Sequence, residues 1–265
     1  MPVIRGMEWT FDTVADRYEK IRPEYTDDLY RTIFNYINID SSSEVVEIGI
    51  GGGQAALPVL KTGCRLTAVE YGENFSELCR EKFKEYRNFA VITNKFEDTD
   101  FSDNTYDLVY SASAFHWIPE SIGYTKVFSM LKSGGAFARF ANHPYRDKGN
   151  LPLSEEMDRI YGEYYYKFHN KKQKALTEYG EEEAVQRANI AEKYGFTDIK
   201  YALFYRIRTF SAKEYTVLLG TYSDHIAIEE SIRKEFFSKI EDAINNHGGS
   251  ITVYDTIDLQ LARKP

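Results

Sequence analysis

The sequence predicts an α/β fold: a mostly parallel sheet with helices on both faces. Three observations carry this. From Glu44 to Phe140, short β-branched or apolar runs alternate with stretches of helical spacing, the pattern of right-handed βαβ crossovers. A glycine-rich turn, "GIGGG", separates the first run from the helix-like stretch after it. The closing stretch "GGSITVYDTIDLQLAR" reads as one more strand.

The elements follow in chain order. Two helices are expected before Glu44, Trp9–Glu19 and Asp27–Ile37. Between them lies "RPEY", where Pro23 disfavours helix at Arg22. Val45–Ile48 is a strand, Gln54–Lys61 a helix and Arg65–Val69 a strand. Glu73–Arg87 has helical spacing, with Phe75, Leu78, Cys79, Phe83 and Tyr86 on one face. Strands Phe89–Thr93 and Tyr106–Ser111 come next, then helix Ile122–Leu131 and strand Ala136–Phe140 after the turn "KSGG". "NHPYRDKGNLP" is a loop, and a helical region runs from Ser154 to Lys193. β texture returns at Thr197. Helices Ala212–Leu219 and Glu229–Asn246 precede "HGG", a helix stop before the last strand. The expected division is an N-terminal helical flap (1–40), one domain built from 41–141 and 196–265, and a helical insertion (142–195).

Composition narrows the function. The 265 residues are 43% hydrophobic, 28% charged and 15% aromatic, which fits a globular chain and not a disordered one. The net charge of −8 argues against nucleic acid. The densest basic cluster, Lys167, Lys171, Lys172 and Lys174, runs into Glu178, Glu181, Glu182 and Glu183, as on a solvated helical face. Two cysteines, Cys64 and Cys79, build no disulfide framework. No apolar stretch has signal-peptide or membrane-spanning length, so no membrane partner is expected and the cytoplasm is the expected compartment. The histidines, His116, His143, His169, His225 and His247, include no pair at ligand spacing, and no metal is expected. Nothing bears on oligomeric state.

A strand, a glycine turn and a helix start together offer unpaired N–H groups and close approach to the backbone. That suits a nucleotide-like cofactor at the carboxyl ends of the strands. The dinucleotide fingerprint fails when started at Gly49, because its last position falls on Gln54. Started at Gly51 it ends formally on Ala56, but its first glycine lies too deep after the strand. Glu-x-Gly-x-Gly-x-Gly fits without strain, on Glu47, Gly49, Gly51 and Gly53, leaving Gly52 unexplained. This form resembles the first motif of the class I S-adenosylmethionine-dependent methyltransferases. Glu70, ending "RLTAVE", suits the two hydroxyls of a ribose, in NAD and S-adenosylmethionine alike. "TNKFEDTDFSDNTYDLVYSASAFHW" resembles the family's third-strand loop and fourth strand, and "MLKSGGAFARF" its turn before the fifth strand, with Ser133 in place of proline. The resemblance covers Glu44–Phe140 well and the closing strand weakly. It implies a Rossmann-like three-layer sandwich with a seven-stranded sheet, mostly parallel, the last strand antiparallel. It implies S-adenosyl-L-methionine as cofactor, with adenine near Lys95, Phe96 and Glu97, and Tyr71 and Ser111 in the same site.

Methyl transfer to a small molecule is an in-line displacement that needs positioning and desolvation more than acid catalysis. The acceptor is expected near Ser111–Trp117, where small residues leave room and Phe115, His116 and Trp117 form a ring-rich wall. His116 is either a general base or positioning group, or a structural cap before Pro119. "AFHW" and "FDTVADRYEKIRPEY" resemble the trans-aconitate methyltransferase-like subset of the family, the latter on Phe11, Ala15, Tyr18, Arg22, Pro23 and Tyr25. The subset implies a flap over the cofactor. Tyr18 and Arg22 then meet the methionine carboxylate or an acidic acceptor, or else simply pack. In "EYTVLLGTYSDHIAI", Tyr222, Ser223 and His225 face the acceptor or pack; "YGEYYYKFH" lines a pocket or covers apolar surface. Two other readings remain open: an NAD-dependent oxidoreductase, and a non-catalytic S-adenosylmethionine-binding interaction protein.

Overall fold

Strand β1, Glu44–Ile48, is buried on both faces because its neighbours in the sheet carry helices above and below. Val45 joins one apolar core and Val46 the other, as the two-residue period of a strand requires. The same alternation separates Leu108 and Tyr110 from Val109. The structure, a computed structural model, describes residues 12, 18, 21–146 and 148–265. Most of the expected helix Trp9–Glu19, with Phe11 and Ala15, lies outside the described residues.

The described elements begin with α1 (Asp27–Tyr36) and β1. Next come α2 (Ala56–Leu60), β2 (Arg65–Glu70), α3 (Glu73–Lys82), β3 (Phe89–Thr93) and β4 (Tyr106–Ala112). A 3₁₀ turn, Phe115–Trp117, leads to α4 (Glu120–Met130) and β5 (Leu131–Arg146). After these come α5 (Leu151–Tyr161), a π-helical turn (Gly162–Tyr166), α6 (Glu181–Ala188) and a 3₁₀ turn (Asn189–Tyr194). The chain closes with β6 (Thr197–Ser211), α7 (Ala212–Leu219), α8 (Ser223–Ile226), α9 (Glu230–Asn246) and β7 (Ser250–Arg263). The seven strands form one sheet in the order β3-β2-β1-β4-β5-β7-β6. β1–β2, β2–β3, β1–β4 and β4–β5 are parallel pairs, and β7 runs antiparallel between β5 and β6. This is the expected Rossmann-like sheet with its last strand reversed.

Two expectations change. β5 does not stop at Phe140, because its pairing with β7 continues from Ala136↔Arg263 to Arg146↔Val253. Its pairing with β4 ends at Ala112↔Phe140, so Pro144 lies where β5 is an edge on that side, which tolerates proline. The helical region from Ser154 to Lys193 is broken. α5 starts earlier, at Leu151, where Asn150 Oδ1 accepts from the Leu153 N–H at 3.2 Å. Residues 171–180 have no regular structure, and 172–178 are all exposed. With no apolar face to bury, that stretch has nothing to repay helix formation.

A third core lies apart from the two that sandwich the sheet. Leu153, Met157 and Ile160 of α5 pack with Phe236, Ile240 and Ile244 of α9, Leu218 of α7 and Val253 of β7. It braces the long ends of β5, β6 and β7 beyond the parallel sheet. Among the described residues, no helix is long and apolar enough to cross a membrane.

Candidate active site

The carboxyl ends of β1, β2, β3 and β4 open on one cavity of about 1380 Å³, mouth included. Its floor is the glycine turn. Gly49, Gly51 and Gly53 have φ of +72°, +52° and +75°, a region that disfavours side chains. They are required for different reasons. A Cβ on Gly49 would lie 2.4 Å from Ala114 Cβ, and one on Gly53 would lie 2.7 Å from the Phe83 ring. Both glycines therefore allow close packing of the protein itself. Gly51 meets nothing nearer than Tyr18, at 3.8 Å, and faces the cavity. The extra Gly52 offers its carbonyl to Lys82 Nζ at 2.9 Å.

Glu70 ends β2 and fastens the turn. Its Oε2 accepts from the Gly51 N–H at 2.8 Å and its Oε1 from the Gly72 N–H at 2.9 Å. Burial raises its pKa, against those two hydrogen bonds. Glu47, fully buried on β1, accepts from the Tyr110 hydroxyl at 2.7 Å through Oε2. Its Oε1 is buried with no partner. Burial pushes this carboxyl up to about 8, against the Tyr110 hydrogen bond and with the Glu70 charge adding to the rise. Gln54, also in the wall, has a buried Nε2 with no partner.

A strand end with this Glu-x-Gly-x-Gly-x-Gly turn, tied to a carboxylate on the next strand, fits the expected domain type. Residues 46–138 match the family described as methyltransferase domain. Over that stretch, about a third of the chain, the protein is similar to methyltransferase domains. An uncharacterized methyltransferase-like protein of Schizosaccharomyces pombe is 23% identical over 234 residues, 88% of this chain and 85% of its own length. The sarcosine/dimethylglycine N-methyltransferase of Halorhodospira halochloris is 33% identical over 100 residues, 36% of each chain. Phosphoethanolamine N-methyltransferase 2 of Haemonchus contortus was solved with phosphomonomethylethanolamine and S-adenosylhomocysteine. It superposes at a TM-score of 0.56 and 16% identity, over all of this chain and 61% of that one, a likeness of fold.

Most of the expected residues meet in the cavity. Glu47, Gly49, Gly51, Glu70, Tyr71, Lys95, Phe96 and Glu97 line it, with Tyr18 and Arg22 from the N-terminal segment. Phe96 is 4% exposed and its ring belongs to the core, so it offers mainly backbone. Lys126 Nζ holds that loop through the carbonyls of Phe96 (2.6 Å), Glu97 (3.0 Å) and Thr99 (2.5 Å). Arg22 pairs with no carboxylate among the described residues. It donates to Thr221 Oγ1 at 3.0 Å and to the Thr221 carbonyl at 2.9 Å, between the rings of Tyr18 and Tyr222.

Three expected residues fall elsewhere. Ser111 is fully buried and donates to the Ile48 carbonyl at 2.9 Å. It ties β4 to β1 and is not part of the wall. Gly53 turns toward Phe83 and is likewise outside the lining. His116 is exposed beside Trp117, outside the lining. Ala112, Ser113, Ala114, Trp117 and Ile118 form that side of the wall, while Phe115 turns inward onto Tyr124 and Phe137. Tyr222 lines the cavity. His225 is buried between Asp224 and Tyr161, at 2.8 and 3.1 Å.

Ser113, within the expected stretch Ser111–Trp117, lines the far half of the cavity with Asn142 and Arg208, which the expectation missed. Ser113, at φ +56°, meets the Tyr25 hydroxyl at 2.8 Å. The alternation in "YRIRTF" suggests the opposite facing, apolar residues in and arginines out. In the structure Ile207 is 66% exposed, so its neighbours Arg206 and Arg208 point inward on a strand of period two.

Proposed function

We propose that this chain transfers the methyl group of S-adenosyl-L-methionine to a small-molecule acceptor by in-line displacement. The observation that carries the reading is the unpartnered pair in the cavity wall, Glu47 Oε1 and Gln54 Nε2. A buried acceptor and a buried donor left unpaired are costly. A zwitterionic amino-acid end, ammonium and carboxylate, answers both. Arg22 reinforces the carboxylate side. Glu70 suits the ribose hydroxyls, and Tyr71 with the Lys95–Glu97 loop suits the adenine. Gly51 leaves the backbone open between them.

When bound, the cofactor supplies an electrophilic methyl carbon with a neutral leaving group. The residues of the chain position and desolvate. Ser113, Ala114 and Trp117 border the space left for an acceptor. Tyr25 stays protonated, because burial raises its pKa, and serves as a hydrogen-bond donor through its hydroxyl. No general base is assigned. The acceptors named for two of the similar enzymes, sarcosine/dimethylglycine and phosphomonomethylethanolamine, are small molecules, which supports the same class here. We extend the reading to the trans-aconitate methyltransferase-like subset on the N-terminal motif. We also read 1–40 as a flap, 41–141 with 196–265 as the catalytic domain, and 142–195 as an insertion over the acceptor side.

Calorimetric titration with S-adenosylhomocysteine tests the reading. Saturable 1:1 binding, with none for NADH, is the expected result. Binding of NADH alone supports an oxidoreductase instead. Binding of S-adenosylhomocysteine without methyl transfer to any of a broad acceptor panel favours the non-catalytic binding protein.

A further inference from the structure

β5, β6 and β7 run past the parallel strands and build a wall that the glycine turn does not reach. Asp255 on β7 is buried there, 1% exposed. Two guanidinium groups share its single carboxylate. Arg206 donates to Oδ2 from Nε at 3.2 Å and from Nη2 at 3.1 Å. Arg208 donates to Oδ2 from Nε at 2.5 Å and to Oδ1 from Nη2 at 2.9 Å. Asn142 Nδ2 also donates to Oδ1, at 3.0 Å. The cluster therefore carries one positive charge more than it neutralises.

The excess falls on one residue. Arg206 spends further donors on Asn142 Oδ1 at 2.9 Å and on the Glu24 carbonyl, and it is not in the cavity lining. Arg208 is in the lining, and its Nη1 is buried with no hydrogen-bond partner. A buried guanidinium with an unused donor is costly unless an anion meets it. The acids of the cavity wall, Glu47, Glu70 and Glu97, stand at β1, β2 and after β3. β6 is four strand positions from β1. The cofactor brings one carboxylate, which the proposed function gives to Arg22 and Gln54. Arg208 is left for something else.

We propose that the methyl acceptor carries an anionic group, a phosphate or a carboxylate, which docks on Arg208 beside Asn142 and Tyr222. This rests on the methyltransferase reading and deepens it. The fork of Arg208 fits either anion, and Asp255 holds the fork in place. Arg208 acts on specificity, because it seats the acceptor by a group remote from the reacting atom.

The test uses protein loaded with S-adenosylhomocysteine, titrated with inorganic phosphate and, separately, with acetate, and followed by calorimetry. Saturable binding of one anion is expected, and which one binds separates a phosphate-bearing acceptor from a carboxylate-bearing one. Arg208→Gln should weaken that binding about tenfold or more, near 1.4 kcal/mol, with S-adenosylhomocysteine affinity unchanged. Asn142→Asp keeps both arginines and sets a carboxylate on the same wall. It should weaken the anion too, and it replaces Arg208→Gln if that variant fails to fold. Binding of neither anion to the loaded wild-type protein overturns the proposal, as does full anion binding by the variants. Failure of the wild-type protein to take S-adenosylhomocysteine sinks the methyltransferase reading itself, a separate result.

Discussion

Glu70 holds the glycine turn and faces the cavity with one carboxylate. Its two oxygens accept from Gly51 and Gly72, 2.8 and 2.9 Å away, yet each retains a lone pair for a ligand hydroxyl. Glu70→Ala should weaken S-adenosylhomocysteine binding by about 1–3 kcal/mol, the usual loss for charge-assisted hydrogen bonds. An unchanged affinity in calorimetry removes Glu70 from the ribose. Glu47 makes a pH prediction. Its pKa is about 8 folded against 4.5 for the ordinary group, so the folded chain keeps a proton that the unfolded chain loses. Stability is then fully present below pH 4.5 and lost as pH rises toward 8. At 1.36 kcal/mol per unit, the loss is on the order of a few kcal/mol. Glu47→Gln lacks this titration. Thermal unfolding of the two ligand-free proteins from pH 5 to 9 should show the variant gaining on the wild type as pH rises. Parallel curves across that range reject the assignment.

At the level of elements, local chemistry was readable and long-range pairing was not. The Glu47–Gly53 motif is contiguous and its function depends on backbone, so it announced itself. Arg208 and Asn142 stand 66 residues apart and meet only through β7, so no local pattern joins them. β5 outran its expected end for the same reason: its last residues are strand because β7 lies alongside. The start of α5 was misplaced at Ser154 because the capping signal is Asn150, with Pro152 near the first turn. That cap also links two helices, since Asn150 Nδ2 donates to the His247 carbonyl beyond α9 at 3.0 Å. Asn150→Ala should cost about 1–2 kcal/mol in chemical denaturation. Asn150→Asp keeps the cap acceptor and loses only the donor to His247, so it should cost less. Equal losses in the two variants place the effect in the bond to His247 and not in the cap.

Across the whole molecule, stability is unevenly spread. The two cores around the sheet and the third between α5, α7 and α9 hold almost every fully buried side chain. Residues 171–180 contribute to none of them. On the near side, the Tyr165 hydroxyl donates to Asp224 Oδ2 at 2.8 Å. On the far side, Tyr179 donates to Asp258 Oδ2 at 2.8 Å, its ring stacked on His143 at 3.7 Å. Between those anchors, exposed backbone opens at little cost in free energy. Trypsin should therefore cut first after Lys172 or Lys174, both exposed. Because each flank is tied to a different core, the two fragments should stay together under native conditions. The nicked protein should bind S-adenosylhomocysteine with wild-type affinity, since no cavity residue lies between the anchors. Mass spectrometry of the first fragments, followed by titration of the nicked species, reads both outcomes. A first cut within the sheet, or loss of binding after the cut at 172–174, would show that this segment supports the cavity and is not a loose connection between two cores.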